Sequence, residues 1–268
     1  MKNYYWLNED SRKFLGKDYL LPGVTPEARI REIAETAEKI LGIEGFADKF
    51  EGYMARGFFS LATPVWMNFG LDRGLPISCY GIDIQDDTMD ILRATAEIGA
   101  LTKMGGGTAG YFGKLRGRGA PIRNNGVSNG AVSFLLPFQT TTDVITQGQA
   151  RRGYFAAYLP VDHPDIEEFL HCREEGHTIQ NIALGVCIPD EWMEAVEAGD
   201  KDKRKILAKI HQKRAETGFP YIFFTGNVNK NKPKVYKDKE MEINHSQMCV
   251  TGDQRVLTSE GLITAFDL

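Results

Sequence analysis

An α/β chain with a helical N-terminal region is predicted by three features of the sequence. Apolar positions recur at helical spacing through the first sixty residues. From Leu61 onward, short apolar or alternating segments alternate with helical patterns, as strands joined by crossover helices do. Glycine, 28 of the 268 residues, gathers between positions 99 and 130 and again at 148–153, well above an average of about 7%. Such stretches are loops in which backbone comes close to something.

In chain order, Thr25-Pro26-Glu27 opens a helix with a hydroxyl cap, a proline at the first helical position and an early acid. Ile30, Ile33, Ala34, Ala37, Ile40 and Leu41 form its stripe, and Gly42 ends it. Phe46, Ala47, Phe50, Tyr53 and Met54 give a second, shorter helix packed on the first. Strand-like segments follow around 77–84, 108–112, 154–159, 182–188 and 220–224, with helical patterns near 87–103, 164–175 and 189–217 between them. The predicted organisation is a helical region over 1–60, an α/β region over 61–248, and a separate segment over 249–268.

Composition narrows the function. The 32 basic and 36 acidic side chains leave a formal net charge of -4, which offers no basic field for a nucleic-acid backbone. No apolar run approaches the roughly 20 residues of a membrane span, and MKNYYWLNEDSRKFL is no signal peptide, so no membrane partner and a cytoplasmic address are expected. Cys79, Cys172, Cys187 and Cys249 are too sparse for a disulfide framework and read as thiols. His171, Cys172 and His177 fit no common zinc spacing, and no metal site is expected.

GGGTAG at 105–110 satisfies G-x-G-x-x-G, yet it follows a helical pattern instead of a strand. Twenty residues on stand Asn124 and Asn125, where a ribose-binding acid belongs, so the glycines read as tight helix-to-strand packing. Two basic loops, Lys114-Leu115-Arg116-Gly117-Arg118 and Gln147-Gly148-Gln149-Ala150-Arg151-Arg152-Gly153, combine guanidinium groups with glycine. Such loops suit phosphate, because arginine donates in pairs and glycine frees backbone N–H groups; solvated basic turns have the same composition. Asp86 is open in the same way: it reads as a site residue or as the N-cap of the 87–103 helix.

Five segments in order, Ser60-Leu61-Ala62-Thr63-Pro64, Ile77-Ser78-Cys79, GKLRGRGAPIRNNG at 113–126, TQGQARRG at 146–153 and LPVDHPDIEEFL at 159–170, resemble the large (alpha) subunit of ribonucleotide reductase. The likeness runs from about Tyr4 to Cys249. It implies roughly the first half of a ten-stranded α/β barrel behind N-terminal helices. By the same resemblance Cys79 is one of two thiols that reduce the ribose 2′ carbon and end as a disulfide. Thr63 and Ser78 line the substrate pocket near the diphosphate, and Gln247, where the family has asparagine, reaches the ribose hydroxyls. Asp86, Arg116, Arg123, Gln147, Arg151 and Arg152 belong to an allosteric site for a deoxynucleotide or ATP, with Arg151 relaying toward the substrate base. The implied partners are a ribonucleotide, a beta subunit that supplies a radical from a di-metal centre, and a second alpha chain; this chain itself binds no radical cofactor. From the short N-terminus no ATP-cone domain is expected. RRG and HPDI also resemble adenosylcobalamin-dependent reductases, and a nucleotide-binding module without chemistry is the alternative of a different class.

HSQMC at 245–249 puts Cys249 at the family's thiyl-radical position, but the acid expected two residues later is missing. The run C-V-T-G-D-Q-R-V-L-T-S-E-G instead resembles the opening block of an intein: a strand, a turn and a second strand after a nucleophile. Met248 is then the last host residue and Cys249 the splicing nucleophile. Either a C-terminal partner carrying the rest of the intein and reductase is expected, as in a split intein, or a longer gene of which this is a truncated reading; the 268-residue chain alone is expected to be inactive.

Overall fold

Four helices precede the first strand: α1 (Glu9–Asp18), α2 (Pro26–Leu41), α3 (Phe46–Ala55) and α4 (Thr63–Asn68). This computed structural model describes residues 3–146 and 153–246, with the strand backbone of 255–258 and 261–264. Helix α2 begins and ends as its sequence requires: the Thr25 hydroxyl accepts from the Ala28 N–H, Pro26 occupies the first turn, and Gly42 closes the helix at φ 66°. Ile30, Ile33, Met54 and Trp66 meet in one apolar core.

Arg29 is fully buried there. Its guanidinium donates to the carbonyls of Trp66 at 2.9 Å and Phe69 at 2.7 Å and pairs with Glu32 at 2.6 Å, so the last carbonyls of α4, which lack partners within their helix, find them on α2. Trp66 and Arg29 therefore tie α4 to the N-terminal helices, and this layer runs on past residue 60.

The second layer is a parallel sheet in the order β1-β2-β3-β4-β5, formed by β1 (Cys79–Asp83), β2 (Gly107–Tyr111), β3 (Phe155–Pro160), β4 (Ala183–Ile188) and β5 (Tyr221–Phe224). Parallel neighbours need crossovers. These contain α5 (Thr88–Lys103), α6 (Gly130–Ser133) with α7 (Leu135–Val144), α8 (Ile166–His171), and α9 (Asp190–Glu197) with α10 (Lys201–Thr217). Helices α11 (Thr225–Lys230) and α12 (Lys234–Asp238) follow, then an antiparallel pair, β6 (Arg255–Thr258) and β7 (Gly261–Thr264). Among the described residues no helix is long and apolar enough to cross a membrane.

The two sheet faces differ. One packs on helices through Ile82, Phe112, Phe155, Leu159, Val186 and their neighbours, with Phe138 of α7 stacked on Phe155 at 5.1 Å. Truncating either ring would cost about 3–5 kcal/mol. On the other face a row of small residues, Gly81, Ala109, Ala156 and Ala183, lies in register across four strands. That row leaves space above the sheet.

Three expectations change. The 189–217 pattern is two helices, because Gly199 adopts φ 104° and the Asp200 side chain caps α10 from Asp202 and Lys203. The 164–175 helix stops at His171, with Arg173 at φ 69°. Helix α5 is capped by Asp87, whose carboxylate accepts from the Met89 and Asp90 N–H groups, which leaves Asp86 for another partner. The 105–110 glycines do pack helix against strand: Gly105 turns the chain at φ 88°, and a Cβ on Gly106 would lie 2.6 Å from the Tyr80 ring.

Candidate active site

Cys79 opens β1 at the exposed edge of the sheet, its Sγ 3.5 Å from the Ser78 Oγ. It lines a cleft of about 360 Å³ with Tyr80, Gly81, Asp83, Tyr236 and the chain from Met241 to Ser246. That chain lies over the small-residue face of the sheet. Asn229 clamps it from both sides, accepting from the Ile243 N–H at 2.9 Å and donating to the Ile243 carbonyl at 3.0 Å. The Cys187 thiol donates to the Asn244 carbonyl at 3.0 Å, and the Ser246 N–H donates to the Tyr158 hydroxyl. Burial pushes the Cys187 thiol up to about 12, so this group is a donor and not a thiolate nucleophile.

A second cleft, about 420 Å³, lies at the start of α5. Asp86 and Arg116 meet in it: the Arg116 Nε donates to Asp86 Oδ2 at 2.6 Å, and its backbone N–H donates to Oδ1 at 3.3 Å. Ile122, Val127, Ser128, Asn129 and Phe134 also line it, with Asp87, Thr88 and Ile91 of the α5 start. The loop that carries Arg116 is folded on itself, with Ser128 N–H donating to the Ala120 carbonyl and Asn124 and Gly126 both at positive φ.

The HPD triplet holds that loop. His163 Nε2 donates to the Leu115 carbonyl at 2.7 Å, and its Nδ1 accepts from the Asp165 N–H at 3.0 Å. The buried Asp165 carboxylate accepts from the Arg118 N–H at 2.8 Å and the Ala131 N–H at 2.7 Å. Arg118 completes the latch with a fork onto Glu168. Gly117 and Gly130 are required here, since a Cβ on either would strike Pro164 or Asp165.

Of the predicted site residues, the structure joins Ser78 to Cys79 and Asp86 to Arg116. Thr63, the first residue of α4, is not among those lining the Cys79 cleft, and Arg123 projects into solvent beside the second cleft. Gln147, Arg151, Arg152, Gln247 and Cys249 lie outside the described residues. His163, Asp165, Asn229 and His245 carry structural weight that the sequence reading assigned to none of them; HPD and His245 stood inside quoted motifs, and Asn229 in none. Among the described residues no group of His, Cys, Asp or Glu is arranged to hold a metal. His171 instead pairs with Glu174, His177 accepts from the Ile179 N–H, and burial pushes Cys172 up to about 12.

Residues 77–203 match the family model described as ribonucleotide reductase, barrel domain. This segment is similar to a reductase barrel domain. The alpha subunit of the class Id ribonucleotide reductase of Actinobacillus ureae superposes with a TM-score of 0.84 at 50% identity, over 91% of this chain and 45% of that one. The ribonucleoside-diphosphate reductase large subunit of Invertebrate iridescent virus 6 is 31% identical over 243 residues, 81% of this chain and 24% of the viral protein. The vitamin B12-dependent ribonucleoside-diphosphate reductase of Thermoplasma acidophilum is 28% identical over 205 residues, 70% of this chain and 27% of its own length. The chain thus spans less than half of each of these reductases. They are oxidoreductases, and both clefts are built on or beside the shared barrel segment.

Proposed function

We propose that this chain is the N-terminal part of a ribonucleoside-diphosphate reductase large subunit. Its completed form reduces ribonucleotides to deoxyribonucleotides by thiyl-radical chemistry. The observation that carries this reading is the Cys79 cleft. An exposed thiol on the first barrel strand faces the segment that ends three residues before position 249. In this reading Cys79 and a second thiol give up two hydrogens and close to a disulfide. The 2′ hydroxyl leaves as water and a C–H bond replaces it, so electrons and atoms balance. Ser78 and Thr63 bind the diphosphate and Gln247 the ribose hydroxyls.

The Asp86–Arg116 cleft, with Arg123, Gln147, Arg151 and Arg152, takes the dNTP or ATP effector. Guanidinium groups and free backbone N–H groups are the donors such phosphates need. The radical comes from a beta subunit with a di-metal centre. Adenosylcobalamin is the second reading, favoured by the likeness to the vitamin B12-dependent enzyme; turnover without any beta subunit would select it. The completed alpha chain works as a homodimer.

Cys249 is the first residue of an intein in this reading. Its thiol attacks the Met248 carbonyl carbon, an S–C bond replaces the N–C bond, and the amine takes the proton. The antiparallel pair Arg255–Thr258 and Gly261–Thr264 supports it, being the strand-turn-strand that such an opening block calls for. The test is intact-mass analysis of the product from its native source, captured with antibody to residues 1–248. Reductase sequence continuing directly from Met248 without residues 250–268 is expected; an unspliced chain alone would overturn the splicing reading.

A further inference from the structure

The segment from Met241 to Ser246 crosses the open face of the sheet without joining it as a strand, so its position depends on side chains. His245 is one of them. A Cβ placed on Gly81 would lie 2.4 Å from His245 Nε2 and 3.0 Å from Cδ2. Gly81 is not in the left-handed region; the backbone there accepts any residue, and what the site requires is the missing side chain. The imidazole fills that notch and tilts against Tyr158, ring centroids 6.3 Å apart. Among the described residues its buried Nδ1 has no hydrogen-bond partner, so within them shape holds the ring more than polar contact does. The next residue is anchored on the same tyrosine through the Ser246 N–H.

We propose that His245 is a positioning residue of the Cys79 cleft: seated in the Gly81 notch and against Tyr158, it sets how the 241–246 segment lies relative to Cys79. This rests on the reading of that cleft as the reaction site and names the device that fixes its geometry. The titratable groups facing the cleft are Cys79, Tyr80 and Asp83 of β1, Tyr158 of β3, Tyr236 of α12 and Glu242 of the segment itself; Asp83 is already paired with Lys114. Burial lowers the His245 imidazole below its ordinary value, and the Asp83 charge opposes this more weakly. Protonation therefore works against the seated ring.

The experiment is amide hydrogen exchange on the 268-residue chain, read at Ile243 and Ser246, with the reaction of Cys79 with 4,4′-dithiodipyridine as a second readout. Gly81→Ala and His245→Ala should each speed exchange at both amides about tenfold, the local-opening signature, while β3 and β4 amides stay unchanged. The double variant should be no faster than either single one, because both remove one contact. His245→Gln, planar and polar, should stay near wild type. Cys79 should react severalfold faster in the alanine variants. In wild type, exchange corrected for its intrinsic rate should rise as pH falls below about 6.5, and His245→Gln should not show this. Unchanged exchange in His245→Ala, or additive effects in the double variant, would overturn the proposal. If Gly81→Ala fails to fold, the His245→Ala and His245→Gln pair still decides. Loss of nucleotide binding bears on the reductase reading and leaves this one standing.

Discussion

The Arg116 guanidinium and the Asp86 carboxylate, thirty residues apart, form an ion pair of 2.6 Å at the mouth of the second cleft. Both are partly exposed, so the pair contributes little stability by itself. Its value is orientation: Asp86 holds the guanidinium beside a wall of loop backbone, where a phosphate could displace the carboxylate. Arg116→Ala should lower dNTP affinity at least about tenfold, as expected for a lost charge-assisted donor, and Arg116→Lys should recover only part of it. Isothermal titration with dTTP and dATP checks this. Cys79→Ser should bind both nucleotides as wild type does.

The HPD latch predicts a stability effect far from either thiol. Asp165→Ala leaves the part-buried N–H of Arg118 and the buried N–H of Ala131 without this acceptor, at a cost of about 2–4 kcal/mol. A thermal melt should show a fall of several degrees. Nucleotide binding should weaken with it, because the loop carrying Arg116 loses its anchor. A melt within a degree of wild type would remove the latch from the account.

How far this was visible beforehand differs from residue to residue. FAAYLP and ALGVCI of β3 and β4 are buried along their length, so the pattern shows as unbroken apolar runs and the strands were placed to within a residue or two. Thr25, Pro26 and Gly42 bounded α2 because caps are local chemistry. Helices α1 and α4 escaped notice, one polar along most of its length and the other six residues long, held by the buried Arg29 from a distant helix. Asp86 could not be settled as cap or site residue without knowing that Arg116 would reach it. The clamp of Asn229 on Ile243 and the seat of His245 over Gly81 join positions far apart in the chain, and no periodicity reports such a meeting.

Glu174 gives a prediction in pH. Lys213 and then His171 donate to its carboxylate and hold it at about 2, against an ordinary 4.5. A carboxylate lowered on folding contributes stability that is present above its unfolded value and is lost as pH falls toward the folded one. The stability difference between wild type and Glu174→Gln should therefore be full at pH 6 and shrink steadily as pH drops below about 4.5. Melting series at matched ionic strength measure it. A difference that grows on acidification would contradict the assignment.

Cys249→Ala should abolish ligation to any C-terminal intein partner while leaving the five-stranded sheet folded, since the sheet contains no residue beyond Phe224. Far-UV circular dichroism paired with a ligation assay separates the two effects. Efficient ligation by this variant would eliminate Cys249 as the nucleophile.

The central claim is that Cys79 does reductive chemistry on a ribonucleotide. Its most direct test is CDP turnover by the enzyme assembled from this chain, its C-terminal complement and a radical source, compared with the same assembly carrying Cys79→Ser. The account predicts dCDP formation by the first and a loss of at least about a hundredfold in the second, with no turnover by the 268-residue chain alone. Turnover that survives Cys79→Ser would contradict it.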